Sequence, residues 1–274
     1  MDRRTIDPDL QRALIEAAHA AADAARDVIL PYFRAPMVVD NKRPADFDPV
    51  TEADRDAERA MREVFANLRR DDGILGEEYG ATPGTSGLTW VLDPIDGTRG
   101  FISGTPTWGV LIALRDESSV LLGVIDQPYI GERFVGGFGT ARMSGPHGEM
   151  ALRTSTQTTA LGDAILLSTF PEVGSPVERA GFEAVSKLCK LTRFGMDCYG
   201  YALVATGQID LVIEAGLNAY DIAGPIGVIE AAGGVVTSWD GSVAHHGGRV
   251  VAAANAQIHA EALKILEPFN DSVK

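Results

Sequence analysis

Residues 90–98 read WVLDPIDGT: an apolar strand, Trp90, Val91 and Leu92, runs straight into two carboxylates, Asp93 and Asp96. Pro94 fixes φ at about −65° and Gly97 permits a backbone conformation that other residues resist. The carboxylates, the Ile95 carbonyl and the Thr98 hydroxyl can therefore converge on one small volume. Hard cations take such oxygen ligands. A lone DxxD would read as two aspartates capping a turn at the end of a strand. Upstream, however, Gly76-Glu77-Glu78 follows the short apolar pair Ile74-Leu75 and adds further acid. Four carboxylates gathered near one turn repel strongly unless cations sit between them, so the stretch reads as a metal site.

The 274 residues suffice for a substantial core, as one large domain or two compact halves. Hydrophobic residues make up 45%, yet no apolar run approaches the roughly 20 residues of a membrane span. The N-terminus MDRRTIDPDL lacks the apolar core of a signal peptide, and a cytoplasmic location is expected. With 24 basic and 38 acidic side chains the net charge is −14, which argues against nucleic acid and anionic membranes as partners. Cys189 and Cys198 read as two inert thiols, and the adjacent His245 and His246 as exposed residues of a Gly-rich turn.

Asp7-Pro8 opens a helix with an apolar stripe at Leu10, Leu14, Ala18, Ala21, Ala25, Val28 and Tyr32. Thr51 starts a second, with Ala57, Met61, Val64, Phe65 and Leu68 on its buried side. Apolar, β-prone segments near 90–95, 107–114, 119–126 and 132–138 suit an antiparallel sheet. Beyond about residue 145 strands (163–168, 209–214, 234–238, 249–253) alternate with helices (176–189, 197–206, 222–232, 256–267), as in layered α/β structure. MSGPHGEM, 143–150, reads as a loose join between an N-terminal α+β half, 1–145, and a C-terminal α/β half, 146–274.

Three blocks, DPVTEAD at 48–54 with GEE at 76–78, LDPIDGT at 92–98, and YDIAGPIGVIEAAGG at 220–234, resemble in order and spacing the inositol monophosphatase family of metal-dependent phosphatases. Tyr220 departs from the Trp that many members carry before the metal-binding Asp; an aromatic is retained. The resemblance implies an α+β, five-layered αβαβα sandwich of the sugar phosphatase type, with the active site between the halves, and a homodimer. It also implies two or three Mg²⁺ ions per subunit and a small-molecule phosphate monoester as substrate. Phosphate monoesters hydrolyse so slowly that enzymes accelerate them by up to on the order of 10²¹. Two metals about 4 Å apart do this by activating water and stabilising the leaving oxygen. They would also invert the negative potential of so acidic a chain toward an anionic substrate.

Carried over by motif, Glu77, Asp93 and the Ile95 carbonyl would hold the first Mg²⁺, and Asp93, Asp96 and Asp221 the second, with Asp93 bridging. Asp221 also reads as the N-cap of the helix that follows it, a role compatible with coordination. Thr98 would orient the attacking water and Asp54 accept its proton, with Glu77 taking part in catalysis beside its metal. Asp54 equally fits a capping box begun at Thr51. The Gly97 and Thr98 amides can point at phosphate oxygens at a helix start. Asp48 would support the ligands from behind, and Glu78 is either such a support or a solvated acid.

For substrate, DCYGY at 197–201, LNAYD at 217–221 and RGFISGTPTWGVLIAL at 99–114 look most like the histidinol-phosphate phosphatase branch. An anionic Asp197 beside Glu214 suits a substrate whose far end carries an ammonium and an imidazole; Asp197 as a plain helix cap is the alternative. Other readings are an inositol-1-phosphate monophosphatase that uses Glu214 as hydroxyl acceptor, and a broad-specificity sugar or nucleotide phosphatase. From a different class comes a non-catalytic regulator that binds metal or a phosphorylated ligand.

Overall fold

Asp7 accepts the amide of Asp9 at 2.8 Å and Pro8 follows it, so α1 (Pro8–Ile29) starts where the Asp-Pro pair predicts. The structure, a computed structural model, describes residues 6–36, 38–41 and 49–270. The buried face of α1 is mostly alanine (Ala17, Ala18, Ala21, Ala22 and Ala25, with Leu14 and Ile29), and Tyr32 falls in the turn beyond the helix. Next, β1 (Val39–Asn41) pairs antiparallel with β2 (Pro49–Thr51). Thr51 caps α2 (Glu52–Leu68), which buries Ala57, Met61 and Phe65 against α1 and the first sheet. Leu68 does not follow them: at the last residue of the helix it is 56% exposed, beyond the cluster that Phe65 joins.

The first sheet then forms from β3 (Gly73–Gly76), β4 (Gly80–Thr82), β5 (Thr89–Asp96), β6 (Gly109–Arg115), β7 (Val120–Gln127), β8 (Glu132–Gly137), β9 (Thr140–Gly145) and β10 (Gly148–Ala151). Its order is β10-β9-β8-β7-β6-β5-β3-β4, with the short helix α3 (Thr98–Ser103) between β5 and β6. The expected antiparallel pairing holds except between β3 and β5, which run parallel. Residues 143–150 are not a loose join. They make the β9–β10 hairpin, Met143 opposite Met150, turned through Pro146 and His147 with Gly148 (φ 104°) just after the turn, and the first sheet extends to Ala151. The division at 145/146 thus falls inside a hairpin.

The second half contributes β11 (Ile165–Ser168), α4 (Pro176–Ser186), β12 (Leu191–Phe194), α5 (Asp197–Ala205), β13 (Leu211–Asn218), α6 (Ala219–Ala231), β14 (Val235–Thr237), β15 (Gly247–Ala253) and α7 (Ala256–Leu266). Its sheet runs β12-β11-β13-β15-β14. Stacking α1 and α2, the first sheet, α5 and α6, the second sheet, and α4 and α7 gives five layers, αβαβα, with one hydrophobic cluster at each outer interface and a middle cluster spanning both inner ones. The middle cluster joins Leu111, Ile125 and Phe134 of the first sheet to Tyr201, Ile222 and Val212 of the second half.

One contact in this stack governs the site. A Cβ on Gly123 would overlap the Gly224 carbonyl, and one on Gly227 would overlap the backbone of Gly123, so α6 lies with its main chain directly on β7. That approach presses the N-terminus of α6, and with it Asp221, down toward the end of β5. Among the described residues no helix is long and apolar enough to cross a membrane.

Candidate active site

Strand β5 carries its acids to the sheet's end: the register with β6 shifts between Asp93 and Asp96, where Pro94 lacks the amide needed for the ladder. Asp93 is 2% exposed and accepts the Ile95 amide at 3.1 Å. Gly97 turns the chain in the left-handed region (φ 82°) into α3, and a Cβ there would sit 2.8 Å from the Asp197 side chain, so both conformation and space demand glycine. From α6 comes Asp221. It is not the N-cap: Asn218 is, and Asp221, third in the helix, closes a capping box by accepting the Asn218 amide at 2.6 Å. Pro225 inside the helix provides no amide for the Asp221 carbonyl one turn back.

Oxygens of Asp93, Asp96 and Asp221 lie within 4.8 Å of one another. Burial first, then the charges of Glu77, Asp96 and Asp221, push the Asp93 carboxyl well above its ordinary range. Asp96 rises likewise through burial and the charges of Asp221, Asp197 and Glu214. Asp221 is pushed up to about 7, mainly by burial and also by Glu77 and Glu214. Carboxylates so crowded, with no cationic side chain among the causes, are matched by a hard divalent cation taking oxygen donors only.

The remaining predicted residues fall around this cluster. Glu77 lies on the cavity wall and hydrogen-bonds Asp93. The Thr98 hydroxyl is 3.1 Å from the Ile95 carbonyl and 3.5 Å from Asp54 Oδ1. Asp54 is buried and has two duties at once, since its Oδ2 accepts the Thr51 amide at 2.7 Å and the Thr51 hydroxyl at 2.6 Å. Glu78 is absent from the cavity wall, and its charge acts on Arg55. Asp48 lies outside the described residues.

A cavity of about 580 Å³ opens between the halves. Its walls carry six carboxylates, Glu77, Asp96, Glu172, Asp197, Glu214 and Asp221, against a single guanidinium, Arg99, whose plane lies 4.9 Å from the Phe170 ring. Asp197 caps nothing. It is the first residue of α5, strained at φ 44°, and its carboxylate accepts the Thr107 hydroxyl at 3.1 Å; burial raises it to about 6. Glu214 is held by the Thr169 amide at 2.8 Å and the Tyr201 hydroxyl at 2.8 Å.

Several participants escape the sequence. The Cys198 amide, at the start of α5, donates to Asp96 Oδ2 at 2.7 Å across the two halves. Thr107, Thr169 and Tyr201 fix the acids of the cavity wall, and Glu58 of α2 holds the turn after Glu77 through the Glu78 amide at 2.6 Å. Only the GEE and DPIDGT motifs point toward them, because each contact links residues far apart in the chain. Both cysteines are free, and burial with the nearby Asp96 and Asp197 pushes the Cys198 thiol far up, so it stays protonated and inert.

Comparison with known proteins agrees with this geometry. The sequence is 39% identical over 272 residues to the bifunctional phosphatase IMPL2 of Arabidopsis thaliana, covering 95% of this chain and 77% of that protein. It is 36% identical over 251 residues to a histidinol-phosphatase of Chlorobaculum parvum, covering 90% and 92%. An inositol monophosphatase from Zymomonas mobilis superposes with a TM-score of 0.83 at 37% identity, over 95% of this chain and 99% of that one. The family model matches residues 10–270, so the five layers and the acid cluster belong to a phosphatase, and the chain is a member of the inositol monophosphatase family.

Proposed function

We propose that the chain is a Mg²⁺-dependent phosphatase that hydrolyses L-histidinol phosphate to L-histidinol and phosphate. Glu77, Asp93, the Ile95 carbonyl, Asp96 and Asp221 would hold the metal ions. When bound, the ions supply positive charge to draw in the phosphate, acidify water and neutralise the leaving oxygen.

The chain's own residues do the rest. Asp54 keeps Oδ2 engaged with Thr51, which leaves Oδ1 facing the Thr98 hydroxyl. A proton from the attacking water passes to Thr98 Oγ1 as Thr98 gives its own to Asp54 Oδ1. The 3.5 Å separation is long, and such catalytic contacts tighten when substrate is in place. The Gly97 and Thr98 amides receive phosphate oxygens at the start of α3.

The observation that carries the substrate assignment is the wall of the cavity beyond the proposed metal ligands, where Glu172, Asp197 and Glu214 stand against the Arg99 guanidinium. A leaving alcohol that bears an ammonium and an imidazole gains from that field, whereas a neutral polyol gains only hydrogen bonds. The Chlorobaculum parvum relative supports the same choice. Inositol 1-phosphate is the second reading, favoured by Glu214, a rigid, buried acceptor suited to hydroxyls, and by the Zymomonas mobilis neighbour.

The test is a phosphate-release assay on histidinol phosphate, inositol 1-phosphate and glycerol 2-phosphate, with Mg²⁺ and with chelator. Histidinol phosphate should show the highest kcat/KM and chelation should abolish all turnover. A higher kcat/KM for inositol 1-phosphate would overturn the substrate assignment, and full activity without metal would overturn the mechanism.

A further inference from the structure

Glu58 is fully buried, yet the reaction outlined above leaves it unused. A buried carboxylate is costly unless every oxygen is satisfied. Here two of the three donors come from one short segment, residues 78–79, and the third from Arg62 on the same helix. Oε2 accepts the Glu78 amide at 2.6 Å; Oε1 accepts the Tyr79 amide at 3.2 Å and Arg62 Nε at 2.7 Å. Arg62, one turn further along α2, reaches the Gly80 carbonyl and, at 3.0 Å, the Thr82 hydroxyl. A Cβ on Gly76 would overlap the Glu58 carboxylate, so glycine there keeps the space open.

Glu77 stands between these two points of contact. Gly76 packs against the Glu58 carboxylate on one side, the Glu78 amide is bound by it on the other, and the Glu77 amide donates to the Leu92 carbonyl at 3.2 Å. The same helix carries Asp54, one turn before Glu58, so α2 addresses both Thr98 and the Glu77 turn from a single rigid element.

We propose that Glu58 is a positioning residue: by gripping the amides of residues 78 and 79 it fixes the Glu77 carboxylate beside Asp93, and so sets the affinity of the Glu77 side of the site for a divalent cation. It rests on the placement of Glu77 among the ligands proposed above. A carboxylate that merely closed a hairpin would leave metal affinity alone. Asp72 provides that comparison within the same sheet, since it is also buried and accepts Arg69 Nε at 2.8 Å and Trp90 Nε1 at 3.0 Å, at the opposite end of β3.

The test is calorimetric titration of Mg²⁺ into metal-stripped, substrate-free protein, with thermal unfolding alongside, for wild type, Glu58→Gln, Gly76→Ala, Asp72→Asn and Glu77→Gln. Glu58→Gln and Gly76→Ala are expected to weaken Mg²⁺ binding roughly tenfold to a hundredfold, the range for residues that orient a ligand from behind. In turnover, the half-saturating Mg²⁺ concentration should rise while kcat recovers at high Mg²⁺. Asp72→Asn should lose thermal stability with unchanged Mg²⁺ affinity. If Glu58→Gln does not fold, Gly76→Ala is judged by the same measurements. Wild-type Mg²⁺ affinity in these variants, with affinity lost in Glu77→Gln, would overturn the role of Glu58 alone. Wild-type affinity in Glu77→Gln would instead remove Glu77 from the ligands, and the role of Glu58 with it.

Discussion

Asp221→Asn should make the metal-free protein more stable while destroying its function. The Asp221 carboxyl is raised from 3.8 to about 7, with burial the largest cause and the charges of Glu77 and Glu214 adding to it. Three pH units at about 1.4 kcal/mol each make roughly 4 kcal/mol of unfavourable charge above neutral pH. The amide oxygen of Asn can still accept the Asn218 amide, so the capping box survives in part. Against the gain stand about 0.3 to 1 kcal/mol of attraction to the helix N-terminus, the charged hydrogen bond from Asn218 being already included in the raised carboxyl. A net gain of roughly 3 kcal/mol remains, or roughly 6 to 12 °C in Tm for a chain of this size.

The pH dependence has a definite sign. Because the folded value lies above the unfolded one, the native state holds the extra proton between about pH 4 and pH 7, and wild-type stability falls as pH rises through that window. The advantage of Asp221→Asn is therefore full above about pH 7 and vanishes toward pH 4. Asp93 and Asp96 are shifted the same way, so some slope persists in the variant. Excess Mg²⁺ should reverse the order, since a ligand at about 1,000 times its Kd adds about 4.1 kcal/mol to the wild type and little to a protein that has lost a proposed ligand. Calorimetric melts in EDTA across this range, repeated with Mg²⁺, measure all of this. A variant less stable than wild type in EDTA at alkaline pH, or one whose advantage grows on acidification, would refute the reasoning.

Thr98→Ala should cut kcat roughly 100-fold or more with Mg²⁺ affinity intact, because it removes a proton relay and no proposed ligand; titration calorimetry beside steady-state kinetics separates the two. Asp54→Asn should lose both rate and about 1 kcal/mol of stability, as its two oxygens serve Thr98 and Thr51 separately, and a normal rate with a lowered Tm would reduce it to a cap. Asp197→Asn should raise KM for histidinol phosphate roughly tenfold to a hundredfold, the worth of a charge-assisted hydrogen bond, and leave glycerol 2-phosphate nearly unaffected. A uniform loss on both substrates would mean that Asp197 props the Gly97 turn. Gly97→Ala forces a side chain to φ 82° against Asp197, and should cost about 1 to 2 kcal/mol for conformation alone, read as a lower Tm with lost turnover.

The acid pair Asp93 and Asp96 was legible because WVLDPIDGT packs strand, proline, acids and glycine into one local unit whose geometry follows from backbone rules. The helices were legible for the same reason: Asp7-Pro8, Thr51 and the alanine stripe of α1 act within a turn or two. What stayed hidden depends on contacts between distant residues. Strand β12 is a short sheet edge with only Thr192 half covered, so it shows neither an alternating nor a continuous apolar pattern. The β9–β10 hairpin is polar and exposed, and only its pairing with β8 distinguishes it from a linker. Glu58 lies among the charged residues of α2, and its burial follows from Gly76 and the turn it grips rather than from any helical periodicity.

These hidden contacts explain how so unfavourable a cluster persists. Asp93, Asp96 and Asp221 are crowded together, each raised by burial and by neighbouring acids, so the folded chain carries a local cost that no side-chain cation relieves. Alone, that crowding would lift α6 away from the end of β5. It is opposed by main-chain contact of α6 on Gly123 and Gly136, while the Cys198 amide on Asp96 and the grip of Glu58 on the Glu77 turn hold the neighbouring acids in place. The acids are thus held at close range before any cation arrives, so that binding need not bear the cost of gathering them. It follows that weakening the supports should damage metal affinity before it damages the fold, whereas neutralising an acid should cost affinity while stabilising the metal-free fold. The opposite signs expected for Glu58→Gln and Asp221→Asn in metal-free melts and Mg²⁺ titrations express that difference directly: the first loses affinity without gaining stability, and the second gains stability because the repulsion it removes was never offset within the chain.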